Sequence, residues 1–380
     1  MKLAFCVYKY FPFGGMQRNL IAIVNACVSA GHEVEIFCGP WEGERLERVA
    51  LHLFKAQGLT NHARNKSLSQ QFLTAIKQDQ FDLVIGFNKM PGLDWYYAAD
   101  GCFAAKVNEQ KGALYRMTPR CQHFMEFECA VFESSSDTKV LMVSKQQKPF
   151  FVKYFGTQEE RFFYLPPGIS RDRMAPDNAA EVRSEFRKEQ GVAGDENIIL
   201  MVGSGFKTKG LDRAIHGLAS LPDAIKEKTR LYVVGQDNPK PFTSLISKFN
   251  LQQRVHFFAG RDDVPRFLLG ADLLIHPAYN ENTGNVLLEA IIAGLPVLTN
   301  DVCGYAHYVI ESEAGVVLSS PFSQQTLNET LHDMLSGDLR PQWSANGIAF
   351  GLHADLYSRA EKALQWIEGA NGGMIEGETL

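Results

Sequence analysis

A chain of 380 residues is too long for one ordinary hydrophobic core, so two domains are expected. Its 45% hydrophobic and 21% charged content is that of a globular protein, and a formal net charge of -5 argues against nucleic acid as a partner, which calls for a basic face. The seven cysteines stand singly, are odd in number and form no C-x-x-C pair, which speaks against a zinc site or a disulfide frame and predicts reduced core thiols of a cytoplasmic protein.

The apolar stretch before Lys9 is too short for a signal peptide and predicts a buried strand over residues 2 to 8. No run approaches the roughly 18 apolar residues of a membrane span, so any membrane contact is expected to be peripheral. The loop KYFPFGG then leads into a helix over residues 16 to 30. Gly14 and Gly15 at its start suit an anion or a close ligand approach, although a bare Gly-Gly also serves a tight turn. Arg18 and Asn19 lie on the first turn, and the sequence is not G-x-G-x-x-G, so a dinucleotide fingerprint is missing.

Strands are expected over residues 33 to 38, 50 to 54 and 83 to 87, with a helix over 70 to 79, the alternation of a parallel sheet covered on both faces. Asp100 ends a short apolar segment, which puts it at the mouth of that sheet. Residues 103 to 132 mix Lys106, Lys111, Arg116, Arg120 and His123 with Phe103, Tyr115, Phe124, Phe127 and Phe132. Such a mixture suits contact with anionic lipid, while Glu109, Glu126, Glu128 and Glu133 dilute the charge and leave an ordinary amphipathic helix pair open. A strand over 139 to 143 closes the first half, and YLPPGI marks a hinge at Pro166, Pro167 and Gly168, followed by Arg171 and Arg173. The expected domains are residues 1 to 166 and 167 to 350, with a helix over about 353 to 367 returning to the first; the final GANGGMIEGETL is expected to fray.

The second half repeats the alternation, with strands over 197 to 202, 230 to 234, 254 to 258, 273 to 277 and 316 to 318. Its first loop, GSGFKTKG, carries Lys207 and Lys209 ahead of a helix over 210 to 221. It lacks the Gly-Lys-Ser/Thr of a P-loop, so the lysines suit a pyrophosphate clamp or a solvated loop. Later, Glu281 and Glu289 stand eight positions apart around Gly284, where a helix over 285 to 293 begins. The outward N–H groups of residues 284 to 287 would hold an anion such as a diphosphate. Glu281 can accept from sugar hydroxyls and Glu289 from a ribose diol, whereas the plain alternative is a glutamate that merely complements the helix dipole, a matter of about 0.3 to 1 kcal/mol.

E-x7-E followed by an apolar helix and AGLPVL resembles the signature of the retaining glycosyltransferases of family 4. That family has the α/β GT-B fold, two Rossmann-like domains facing across a cleft. KYFPFGGMQR, GFNKMPGLD, LPPGI, VVGQD, HPAY, LLEAI and CGYAHY, in order from about residue 2 to 365, narrow the likeness to members that add the first hexose of the lipopolysaccharide outer core to a heptose. The resemblance implies a UDP-sugar donor, glucose first, a heptose acceptor of the inner core, contact with the cytoplasmic face of the inner membrane, and no cofactor or bound metal. It assigns catalysis to Asp100, Lys209 and Glu281. The donor falls to Gly14, Gly15, Asn19, Arg173, Lys207, Lys209, Glu281, Asn282, Gly284, Asn285, Val286 and Glu289.

Departures from the pattern all line the donor side. Asn19 stands where similar chains carry aspartate, Thr208 replaces an arginine beside Lys209, and Asn282, Thr283 and Asn285 are more polar than the family pattern implies. They keep a UDP-N-acetylhexosamine donor open. A non-catalytic nucleotide-sugar-binding GT-B protein is the alternative from another class.

Overall fold

The computed structural model describes residues 1–12 and 14–369; the end of GANGGMIEGETL lies outside the described residues. The chain divides into two units, Met1–Gly168 joined by the segment from Ser358 onward, and Ile169–Tyr357. The first is built on seven strands, β1 (Lys2–Val7), β2 (Glu33–Cys38), β3 (Ala50–Leu53), β4 (Leu83–Gly86), β5 (Trp95–Ala98), β6 (Lys139–Met142) and β7 (Phe162–Tyr164). The second has six, β8 (Asn197–Val202), β9 (Thr229–Val234), β10 (Val255–Phe258), β11 (Leu273–His276), β12 (Val297–Asn300) and β13 (Gly315–Leu318).

Both sheets are parallel throughout, in the orders β3-β2-β1-β4-β5-β6-β7 and β10-β9-β8-β11-β12-β13. Parallel strands are buried on both faces, which is why NIILMV reads as one apolar run with no polar alternation. The period of two then sends Ile198 and Leu200 into one core and Ile199 and Met201 into the other. Ala4 and Cys6 part from Leu3, Phe5 and Val7 in the same way in the first unit. Each such buried aliphatic side chain contributes about 1.5 to 3 kcal/mol. The orders reverse between β1 and β4 and between β8 and β11, and open α/β sheets bind ligands outside the carboxyl ends at that reversal.

Some boundaries differ from the sequence expectation. The helix expected over 70 to 79 spans Asn61–Ile76, because Thr60 Oγ1 caps it by accepting from the Ala63 amide at 3.3 Å; its polar first turns hide it from apolar periodicity. The last strand of the first unit is the three-residue β7, too short to read from sequence. The returning helix is Arg359–Gly369; of the residues expected to begin it, His353 ends a separate helix, Arg340–His353, capped by the extended Ala354, and residues 354 to 358 are not helical. Arg359 fixes the return by donating from Nε to the Pro166 carbonyl and from Nη1 to Tyr97 Oη, both at 2.9 Å.

Candidate active site

In the second unit the loops leaving β8 and β11 flank the reversal point, since these strands are neighbours. The first brings Lys209 and the second brings Glu281, and their side chains form an ion pair. The loops are tied by the Tyr279 amide donating to the Thr208 carbonyl at 2.8 Å. Behind the pair lies His276, fully buried, with Nε2 3.4 Å from Glu281 Oε2. Burial, seconded by the Lys209 charge, depresses the His276 pKa to about 3, so the imidazole is neutral. Burial also pushes the Lys209 ammonium below its ordinary pKa, a shift that Cys303 opposes in part. Lys209 and Glu281 were expected to face different parts of a ligand; the structure joins them. Lys207 is exposed.

Glu281 leads directly to Gly284, the cap of the helix Asn285–Ile292. Gly284 has φ +86°, and an added Cβ would lie 3.3 Å from Glu281 Cγ, so both the turn and the packing call for glycine. The Leu287 amide donates to the Gly284 carbonyl at 2.9 Å. Of the four amides expected to face an anion, those of residues 284 to 286 therefore remain as the ones without an intrahelical bond. Asn285 Oδ1 is buried with no hydrogen-bond partner among the described residues. Asn282 and Val286 are half-buried beside it, and Glu289 is buried one turn further on.

The turn Arg171–Arg173 packs against this same helix. The Arg173 side chain is only 11% exposed, and its Nε and Nη1 have no hydrogen-bond partner; Asp172 Oδ1 stands off at 3.6 Å from Nε. A guanidinium withdrawn from water without full pairing is costly, and an anionic ligand removes that cost.

In the first unit, Gly14 caps the helix Gly15–Ser29. Gln17 folds back over Gly14, where an added Cβ would strike its carboxamide, so this glycine has a packing reason as well as the ligand reason read from sequence. The first-turn amides of that helix have no intrahelical acceptor. Asn19 is buried, and its Nδ2 donates to the Gly15 carbonyl at 2.9 Å, a bond that an aspartate in its place could not make. Arg18 is exposed. Asp100 is exposed two residues beyond β5, at the carboxyl edge of the sheet.

Several readings of the 103 to 132 stretch are corrected. Glu128 is fully buried, paired with Lys89, and dilutes no surface charge. His123 is also buried, and burial with the nearby His62 lowers its pKa, so it adds no positive charge. Phe127 and Phe132 lie in the core; the apolar groups that reach solvent are Leu114 at 84% and Met117 at 73%, among exposed Lys111, Arg116 and Arg120.

Among the described residues no three His, Cys, Asp or Glu side chains are grouped as a metal site requires, and no helix is long and apolar enough to cross a membrane. A cavity of about 740 Å³ is bordered by Arg183, Glu196, Asp272 and Arg340 at the amino ends of β8 and β11, the edge away from Lys209. Its charged groups are already paired, Arg183 with Asp272 at 2.5 Å and Glu196 with Arg230 at 2.8 Å.

Residues 182–350 match the family described as glycosyl transferases group 1. The lipopolysaccharide glucosyltransferase WaaG of Escherichia coli K12 is 46% identical over 374 residues, 98% of this chain and 100% of that one. The chain belongs to the glycosyl transferases of group 1. As a member it is an enzyme of the hexosyltransferase class, as the resemblance implied. The crystal structure of WaaG superposes with a TM-score of 0.93 at 45% identity, covering 98% of this chain and all of the other, which establishes the GT-B fold. Anabaena Alr3699/HepE in complex with UDP and glucose shares that fold with a TM-score of 0.74 over 97% of this chain and 100% of its own, at 17% identity. Sequence reasoning missed His276 and the buried role of Glu128. HPAY at the end of an apolar strand was the available signal for His276.

Proposed function

We propose that this glycosyltransferase moves a hexose, glucose first, from a UDP-sugar to a heptose of the lipopolysaccharide inner core, with retention at the anomeric carbon. The activity that names its E. coli relative supports the reading. The observation that carries it is Arg173, a withdrawn guanidinium with two unpartnered nitrogens on a turn packed against the helix Asn285–Ile292, whose start offers free amides. As the anomeric C–O bond breaks, UDP gains negative charge, which Arg173, Lys209 and the amides of residues 284 to 286 stabilise in place of a metal ion. A diphosphate also gives Lys209 a second anion, which frees Glu281 to accept from hexose hydroxyls while Glu289 accepts from the ribose diol.

Asp100 lies at the reaction centre, and the first-turn amides after Gly14 and Gly15 serve the donor phosphate and hexose. The acceptor attacks from the face the phosphate leaves, and that phosphate takes the proton; trapping a glycosyl adduct on Asp100 would overturn this route. Leu114 and Met117 with Lys111, Arg116 and Arg120 rest the first unit on the cytoplasmic face of the inner membrane. A UDP-N-acetylhexosamine donor is the second reading. Asn285 Oδ1, an acceptor without a partner, favours it, because an acetamido N–H is a donor.

The test is UDP release from UDP-glucose, UDP-galactose and their N-acetyl forms, in EDTA, with and without heptose-terminated core. Acceptor-dependent release from one donor is expected and fixes the hexose. Release that needs added metal, or none from any donor by protein that binds UDP, contradicts the reading.

A further inference from the structure

Asp100 is exposed, and no side chain need hold it; what is held is the backbone behind it. Three side chains distant in sequence converge there. Lys89, from the loop after β4, donates through Nζ to the Gly101 carbonyl at 3.0 Å and pairs with Glu128. Glu128, on the helix Pro119–Phe132, accepts from the amides of Phe103 at 2.8 Å and Ala104 at 2.7 Å. Gln147, in the turn after β6, accepts from the Cys102 amide at 3.0 Å. One backbone group of each residue from 101 to 104 is therefore bonded to a side chain brought from elsewhere.

The helix Phe103–Gln110 does not require all of this. It has a cap of its own, Cys102 Sγ accepting from the Ala105 amide at 3.5 Å, and the Gly101 carbonyl lies outside it. Nor does stability explain the ion pair, because a fully buried carboxylate and its lysine roughly break even against well-packed apolar residues of the same volume. Lys89 sits against the stacked rings of Phe132 and Phe151, 5.7 and 5.6 Å from their centroids, which fixes its reach. What the arrangement supplies is a fixed path for residues 101 to 104.

We propose that Lys89, Glu128 and Gln147 are positioning residues for the transfer reaction, clamping the segment that presents Asp100, an inference that rests on Asp100 lying at the reaction centre. Misplacing a reacting group by about 1 Å costs up to about 10²-fold in rate. Loss of the clamp therefore lowers kcat and leaves UDP binding, to which Asp100 does not contribute, as it was.

The experiment measures kcat, donor KM and the Kd for UDP in Gln147→Leu, Glu128→Gln, Asp100→Ala and the double variant Asp100→Ala/Gln147→Leu. Gln147 is half-buried, so its variant should fold even where Glu128→Gln does not. Expected are a kcat about 10-fold lower for Gln147→Leu and up to about 10²-fold lower for Glu128→Gln, with UDP affinity unchanged within about twofold. In the Asp100→Ala background Gln147→Leu should have almost no further effect, since it acts through Asp100; a merely structural role would slow both backgrounds by the same factor. A slow Asp100→Ala beside a Gln147→Leu of wild-type rate overturns the clamp alone. An Asp100→Ala of wild-type rate overturns the reading of Asp100 and the clamp with it.

Discussion

The two units carry their acidic groups in opposite ways. In the second, Glu281 is drawn inside, paired with Lys209 and backed by the neutral His276, so the side chains themselves are fixed. In the first, Asp100 is left in water while Lys89, Glu128 and Gln147 fix the main chain that carries it. Under the proposed function, the difference follows from what each group would meet. A diphosphate brings charge that can replace an internal partner, so a buried pair can be opened by its ligand. A group facing a large glycan acceptor needs open space, and its precision then comes from the backbone.

The contrast can be broken or sharpened by substitution. The largest effect is expected at Lys209: Lys209→Ala removes a preorganised cation and leaves Glu281 withdrawn from water without it, and kcat/KM for transfer should fall by about 10³-fold. A fall below tenfold would mean that Lys209 serves only to neutralise Glu281. Gly284→Ala should follow at about 10²-fold, because φ +86° is strained for alanine and the helix start must shift, moving its amides. Steady-state rates that match wild type would show that those amides meet no charge.

The buried histidine makes a prediction about stability. His276 stays neutral down to about pH 3 in the folded chain, whereas the unfolded chain takes up the proton near the ordinary value of about 6.5. Between these values the unfolded state binds more protons, so stability falls as pH drops, by about 1.4 kcal/mol per pH unit from this group. His276→Asn should flatten the decline of urea midpoints between pH 6.5 and 4; parallel profiles for variant and wild type would contradict the burial argument. The smallest effect belongs to Lys207→Ala, within about threefold in KM for the donor, because an exposed lysine contributes little.

Much of this was legible in the sequence where the signal is local. The apolar runs gave the parallel strands, and Glu281, Gly284 and Glu289 lie within nine positions of one loop and helix. Pairings between distant segments were not legible. Glu128 reads as one more acid among Glu126 and Glu133, and its burial is explained by Lys89, 39 residues away, and by the amides of Phe103 and Ala104. Lys209 and Glu281 come from loops of different strands, which no spacing rule joins. The helix Asn61–Ile76 was placed too late because its opening turns are polar and its start is set by the Thr60 cap. His276 looked like the end of a strand, and its chemistry depends on what the fold packs around it.

The division of labour between the units is tested most directly by calorimetric titration of UDP into the wild-type chain, Arg173→Ala and Asp100→Ala. Arg173 has two buried nitrogens without partners, and its loss should weaken UDP binding by about 30-fold or more, the scale of a buried charged hydrogen bond. Asp100→Ala should bind UDP within about twofold of wild type, because its contribution falls on the reaction and not on the nucleotide. Equal weakening in both variants, or full affinity without Arg173, would contradict the account.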